Sequence, residues 1–103
     1  MTINPWRAEV GIMLGGKIHV MRPTFAALSR IEQELHTGLL ALAGKLFEGN
    51  ITLEELAVII NCCLMESSIP VNDALVQGGV TGAMQAVAEM FALVFGGFDE
   101  IVT

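Results

Sequence analysis

Arg22-Pro23-Thr24-Phe25-Ala26-Ala27-Leu28 follows an apolar stretch broken at Gly15-Gly16, and this junction decides the fold. Upstream, Val10, Ile12 and Leu14 alternate with Glu9, Gly11 and Met13, which is the period of a half-buried strand. Beyond the glycines, Ile18 and Val20 alternate with His19 and Met21. The two runs read as a β-hairpin within residues 8–22. Pro23 cannot donate to a ladder and stops the second strand. Thr24 can then accept from a free amide of the next helical turn, so the strand runs straight into a capped helix.

The register follows from which faces are apolar. A two-residue turn would set Leu14 opposite Lys17 and mix the faces. A three-residue loop, Gly15-Gly16-Lys17, pairs Leu14 with Ile18 and Ile12 with Val20, and is the expectation. Met13 and Met21 then fall on the outer face. A two-stranded hairpin is marginal alone in water, so it is expected to lie on helices or pair with another chain.

Downstream the period is helical. Phe25, Leu28, Ile31 and Leu35 form one stripe, with Gly38 ending the helix near His36. A second helix, about 38–48, carries Leu39, Leu42, Ala43 and Leu46 on one stripe, with Leu40 and Phe47 on another. Thr52-Leu53-Glu54-Glu55 is a capping box, Thr52 capping forward and Glu55 reaching back. The helix it opens, about 53–65, is apolar on nearly every side and is expected at the centre of the core. A short helix from Asn72 or Asp73 to Gln77 breaks at Gly78-Gly79, and a last one spans about 81–95. The expectation is a mainly α (α+β) fold. It is a single domain over residues 1–103, with the hairpin at 8–22 and a bundle of four to five helices at 24–98.

The composition is 53% apolar before 11 glycines are counted, against roughly 45–50% with glycine included in an average domain. Charged residues are 16%, against about 25%. A chain this short has much surface for its volume, so some apolar side chains are expected outside the core, where they mark partner sites and self-association. The net charge is −6, from 11 acids against 5 scattered bases. That argues against nucleic acid and against anionic membranes. The segment 80–98 holds Gln85 and Glu89 and reads as a buried or interface helix, not a membrane span. Asn4, Pro5 and an early Glu9 do not suit a signal peptide.

No chemistry is legible. Cys62 and Cys63 are adjacent, poorly placed to bond each other, and read as small apolar groups in a reducing cytoplasm. His19 and His36 lack partners at ligand spacing, so no metal is expected. Met65, Met84 and Met90 read as core. No nucleophile elbow, phosphate loop or dinucleotide fingerprint occurs, so neither catalytic residues nor a cofactor is expected. Trp6, Met13, Met21, Phe95 and Phe98 are the candidate partner-binding residues, because aromatic side chains and methionine are enriched in protein interfaces.

Glu9-Val10, Gly15-Gly16-Lys17, Met21-Arg22-Pro23-Thr24-Phe25-x-Ala27-Leu28, Ile31-Glu32, Gly38 and the Leu-rich helix after it together resemble the small tail proteins of gene transfer agents and related prophages, which are grouped with phage tail assembly chaperones. The resemblance covers about residues 7–97. It implies a non-enzymatic role in tail morphogenesis in the bacterial host cytoplasm. The partner it implies is the tape measure protein, whose helices such a chaperone coats until tube subunits polymerise. Relatives are also placed with tail tube components, so a structural tube or junction protein kept in the particle is the first alternative. A helical domain that binds an apolar small molecule is the second.

Overall fold

The computed structural model describes residues 9–65 and 69–95. Strand β1 (Val10–Leu14) and strand β2 (Lys17–Met21) form an antiparallel hairpin. Among the described residues five helices follow: α1 (Phe25–Leu35), α2 (Leu39–Phe47), α3 (Leu53–Cys63), α4 (Val71–Gly78) and α5 (Val80–Phe95). The mainly helical fold with an N-terminal hairpin is the one the sequence predicts.

The register differs from expectation. Gly15 and Gly16 alone make the turn, with φ of 59° and 82°. Leu14 pairs with Lys17, Ile12 with His19 and Val10 with Met21. Two successive positive-φ residues give the tight turn whose twist matches that of the strands. That geometry overrides the apolar pattern and sets Lys17 and His19 on the face of Ile12 and Leu14. His19 and Met21 therefore turn inward beside Val10 and Ile12, and Ile18 turns out to solvent. Val20 is buried as well, on the other side of the sheet.

The end of β2 is also tied to the exit of α3. The Arg22 amide donates to the Cys63 carbonyl (2.7 Å) and the Met65 amide to the Val20 carbonyl (3.1 Å), flanking an isolated bridge between Met21 and Leu64. Met65, read as core, instead sits beyond the helix with its side chain exposed.

Local signals set the helix boundaries. Thr24 Oγ1 accepts from the Ala27 amide (3.1 Å) and starts α1. The helix ends because His36 adopts a left-handed conformation (φ 51°). Gly38, read as the stop, has φ −69° and instead precedes α2, whose Leu39 amide donates to Glu32 Oε2 (2.9 Å). Phe25 leaves the predicted stripe. It is the first residue of α1, where side chains tilt back off the helix end, and it is 88% exposed. The rest of the stripe holds: Ile31 is buried, Leu28 and Leu35 pack against the core, and Ala27 joins them.

The capping box is present in full. Glu55 donates its amide to Thr52 Oγ1 (3.0 Å), and its carboxylate accepts from the Thr52 amide (2.9 Å). The other carboxylate oxygen meets Lys45 Nζ of α2 at 2.5 Å. The Lys45 hydrogen bond first, and the Thr52 amide second, hold the Glu55 carboxyl below its ordinary value of 4.5. A carboxyl held low stabilises the fold fully above its unfolded value, and the contribution is lost as pH falls through the folded one. The expected result is a fall in urea midpoint below about pH 4.5 that is shallower in Glu55→Gln than in the parent, measured at equal salt. Equal slopes would assign the fall to other carboxylates.

The core forms where α3 and α5 meet the inner face of the hairpin. Ile59, Ile60 and Leu56 of α3, Val87, Met90 and Phe91 of α5, and Leu42 of α2 are fully enclosed with Ile12 and Met21. α5 lies against β1 and touches α2, α3 and α4. α4 and α5 meet at 112° about Gly79, and among the described residues no single helix is long and apolar enough to cross a membrane.

Candidate functional site

Of the predicted contact residues, Met13 and Phe95 reach the surface. Met13 stands opposite Ile18 across the hairpin, and each is about half exposed. Phe95 is partly exposed, with its ring edge-on to the buried Phe91 (centroids 5.9 Å apart, planes at 69°). Met21 must be corrected. In the observed register it faces inward, has no exposed surface and belongs to the core. Trp6 and Phe98 lie outside the described residues.

Sequence reasoning missed the most exposed apolar groups. Phe25 opens α1, Leu40 (75% exposed) lies in the first turn of α2 and Phe47 (62%) ends that helix. Leu40 and Phe47 form the second stripe that the sequence shows on α2, and both side chains are exposed. Leu53 of α3 and Val76 of α4 are exposed on another side.

These last two border a cleft of about 680 Å³ between α3 and α4. Leu53, Ala57, Val58 and Asn61 form its floor on one face of α3, and Asn72, Asp73 and Val76 of α4 form a wall. A smaller hollow continues past Val58 and Asn61 to Arg30 and Glu34 of α1. Two exposed carboxylates, Glu54 and Asp73, stand at the larger cleft. Arg30 Nε is paired with Glu34 Oε2 at 3.0 Å.

The thiols are inert groups. Cys62 Sγ donates to Glu34 Oε2 (3.2 Å), and Cys63 is buried. Burial, and then the Glu34 hydrogen bond, pushes the Cys62 pKa up to about 11, and burial pushes that of Cys63 up to about 12. A rise from 9.0 to about 11 leaves on the order of 100-fold less thiolate near neutral pH. At pH 8 the folded protein should react with an aromatic disulfide reagent at least about 10-fold more slowly than the urea-unfolded chain. Equal rates would refute the assignment.

Among the described residues, no three His, Cys, Asp or Glu side chains converge as metal ligands would. His19 is buried on the inner sheet face, and His36 is an exposed helix cap. The arrangement offers apolar side chains and an acidic-edged cleft to other molecules.

Comparison with known proteins agrees with a contact role. No curated protein and no solved structure matches the chain. The family model described as phage tail tube protein, GTA-gp10, matches residues 7–97. That match takes in the hairpin and all five helices, and the chain therefore belongs to the GTA-gp10 family of phage tail tube proteins.

Proposed function

We propose that the protein is a structural component of a phage or gene-transfer-agent tail, built in with the tube and kept in the finished particle. The observation that carries this reading, beside the family match, is the set of large apolar side chains left in water by a completed core, chiefly Phe25, Leu40 and Phe47. Burying each against a neighbour is worth about 1.5–3 kcal/mol. The role needs no catalysis, and its partners are other tail proteins, further copies of this chain among them. Assembly takes place in the cytoplasm of the bacterial host.

Mass spectrometry of purified particles tests the reading. The protein should be present in fixed ratio to the tube subunit. Its absence from particles, with abundance in the producing cells, would overturn it.

One observation favours a second reading, a tail assembly chaperone for the tape measure protein. The cleft between α3 and α4 is open, elongated along a helix and acidic at its edge, as a holder of another helix would be. That reading predicts absence from particles together with co-purification of the tape measure protein on co-expression. A purely apolar small molecule suits the cleft less well, because Glu54, Asn61, Asn72 and Asp73 line it.

A further inference from the structure

We infer that the trench between α3 and α4 docks one amphipathic helix of a partner protein, whose apolar stripe is flanked by lysine or arginine. The inference deepens the tail-protein reading and rests on it only for where the helix comes from.

The floor positions Leu53, Ala57 and Asn61 recur every four residues, with Val58 beside them. They give one face of α3 about 12 Å long at 1.5 Å per residue. A helix laid in such a groove presents anchors at i, i+4 and i+7 to a surface of this length. Ala57 is small at the centre of the floor and lets a second backbone come close. Leu53 and Val76 stand exposed at the edges, ready to close over an apolar stripe. The far end is bounded by Arg30 and Glu34 of α1, so the floor lies between two helical walls.

Charge selects the occupant. Glu54 and Asp73 face the trench, and neither takes part in an ion pair among the described residues. The cation at the other end, Arg30, is already held by Glu34. A bound helix therefore meets uncompensated negative charge, and basic flanks are favoured over acidic ones. A second copy of this chain does not fit that requirement. Its described helices carry only Arg30 and Lys45, paired with Glu34 and Glu55.

The test is a titration of the intact isotope-labelled chain, followed by NMR. One synthetic 18-residue helical peptide carries a leucine stripe flanked by lysines, and a second carries the same stripe flanked by glutamates. The lysine peptide should bind at least tenfold more tightly, more weakly at high salt, with shifts centred on Ala57, Val58, Asn61, Asp73 and Val76. The double variant Glu54→Lys/Asp73→Lys should invert the preference. Val76→Ser, a milder change at an exposed site, should weaken both peptides, and Leu40→Ser should leave binding unchanged. Equal affinity for the two peptides, shifts centred on Leu40 and Phe47 or on Met13, or no binding at millimolar peptide would overturn the inference. Particle mass spectrometry plays no part in this measurement, so failure here leaves the retained-component reading standing, and failure there leaves the trench.

Discussion

Phe91→Ala is expected to remove about 3–5 kcal/mol of stability, the cost usual for emptying a buried aromatic site. Phe91 is wholly enclosed in the core, on the helix that packs against β1 and α3. Three contributions add there: transfer of the ring to water, a cavity that rigid neighbours only partly close, and loss of the edge-on contact with Phe95, itself worth about 0.5–1.5 kcal/mol. A domain of this size has about 5–15 kcal/mol in all, so the variant loses roughly a fifth of its stability at the least. The midpoint of thermal unfolding should fall by on the order of 15 °C or more. Phe91→Leu, which keeps most of the volume, should cost under about 2 kcal/mol. A loss below about 1 kcal/mol in the alanine variant would mean that α5 does not pack on the sheet as described.

The elements that the sequence shows clearly are those where one local signal has no competitor. Thr52 and Glu55 announce a capping box, and the box is there with both hydrogen bonds. Gly78-Gly79 announces a break, and the chain turns by 112°. The second strand is different. In Lys17-Ile18-His19-Val20-Met21 the alternation puts Ile18 and Val20 on one face and Lys17, His19 and Met21 on the other, so the hydrophobic pattern favours a register one residue away from the observed one. The choice falls to the turn, where two adjacent glycines accept positive φ, and to long-range contacts such as the Met21–Leu64 bridge. His36 shows the same limit at a helix end: a left-handed non-glycine residue stops α1 two positions before the glycine that looked responsible.

The interaction surface was legible as a surplus and not as a place. Composition predicts uncovered apolar side chains, and Leu40 and Phe47 are visible on a second stripe of α2. Which stripes stay in water depends on where neighbouring helices pack. The α3–α4 trench exists because α4 leaves one face of an all-round apolar helix uncovered. Within residues 53–61, Glu54 and Asn61 mark that face as the more polar one, whereas Leu56, Ile59 and Ile60 lie on the covered side.

Arg22→Met is expected to cost about 2–4 kcal/mol, and the double variant Glu9→Gln/Arg22→Met should recover most of it. The observed register places Glu9, just before β1, directly opposite Arg22, just after β2. There the guanidinium Nε meets Glu9 Oε2 at 2.6 Å. Glu9 is almost fully buried (2% side-chain exposure), whereas Arg22 keeps 34%. Removing the cation alone leaves a carboxylate in a poorly solvated place without its guanidinium, which is the costly half of breaking a buried pair. The partial exposure of Arg22 puts the loss at or below the lower part of the 3–5 kcal/mol range for fully buried pairs. Neutralising Glu9 as well removes the penalty, so the two changes are non-additive, and a double-mutant cycle in urea reads the difference directly. The pair also bears on the turn. A one-residue slip would set Arg22 opposite Val10 and forfeit the contact. Gly15-Gly16 at one end and Glu9–Arg22 at the other therefore hold the same register, and with it the inward placement of Met21. If the double variant is no more stable than Arg22→Met, the ion pair is not what fixes the open end of the hairpin.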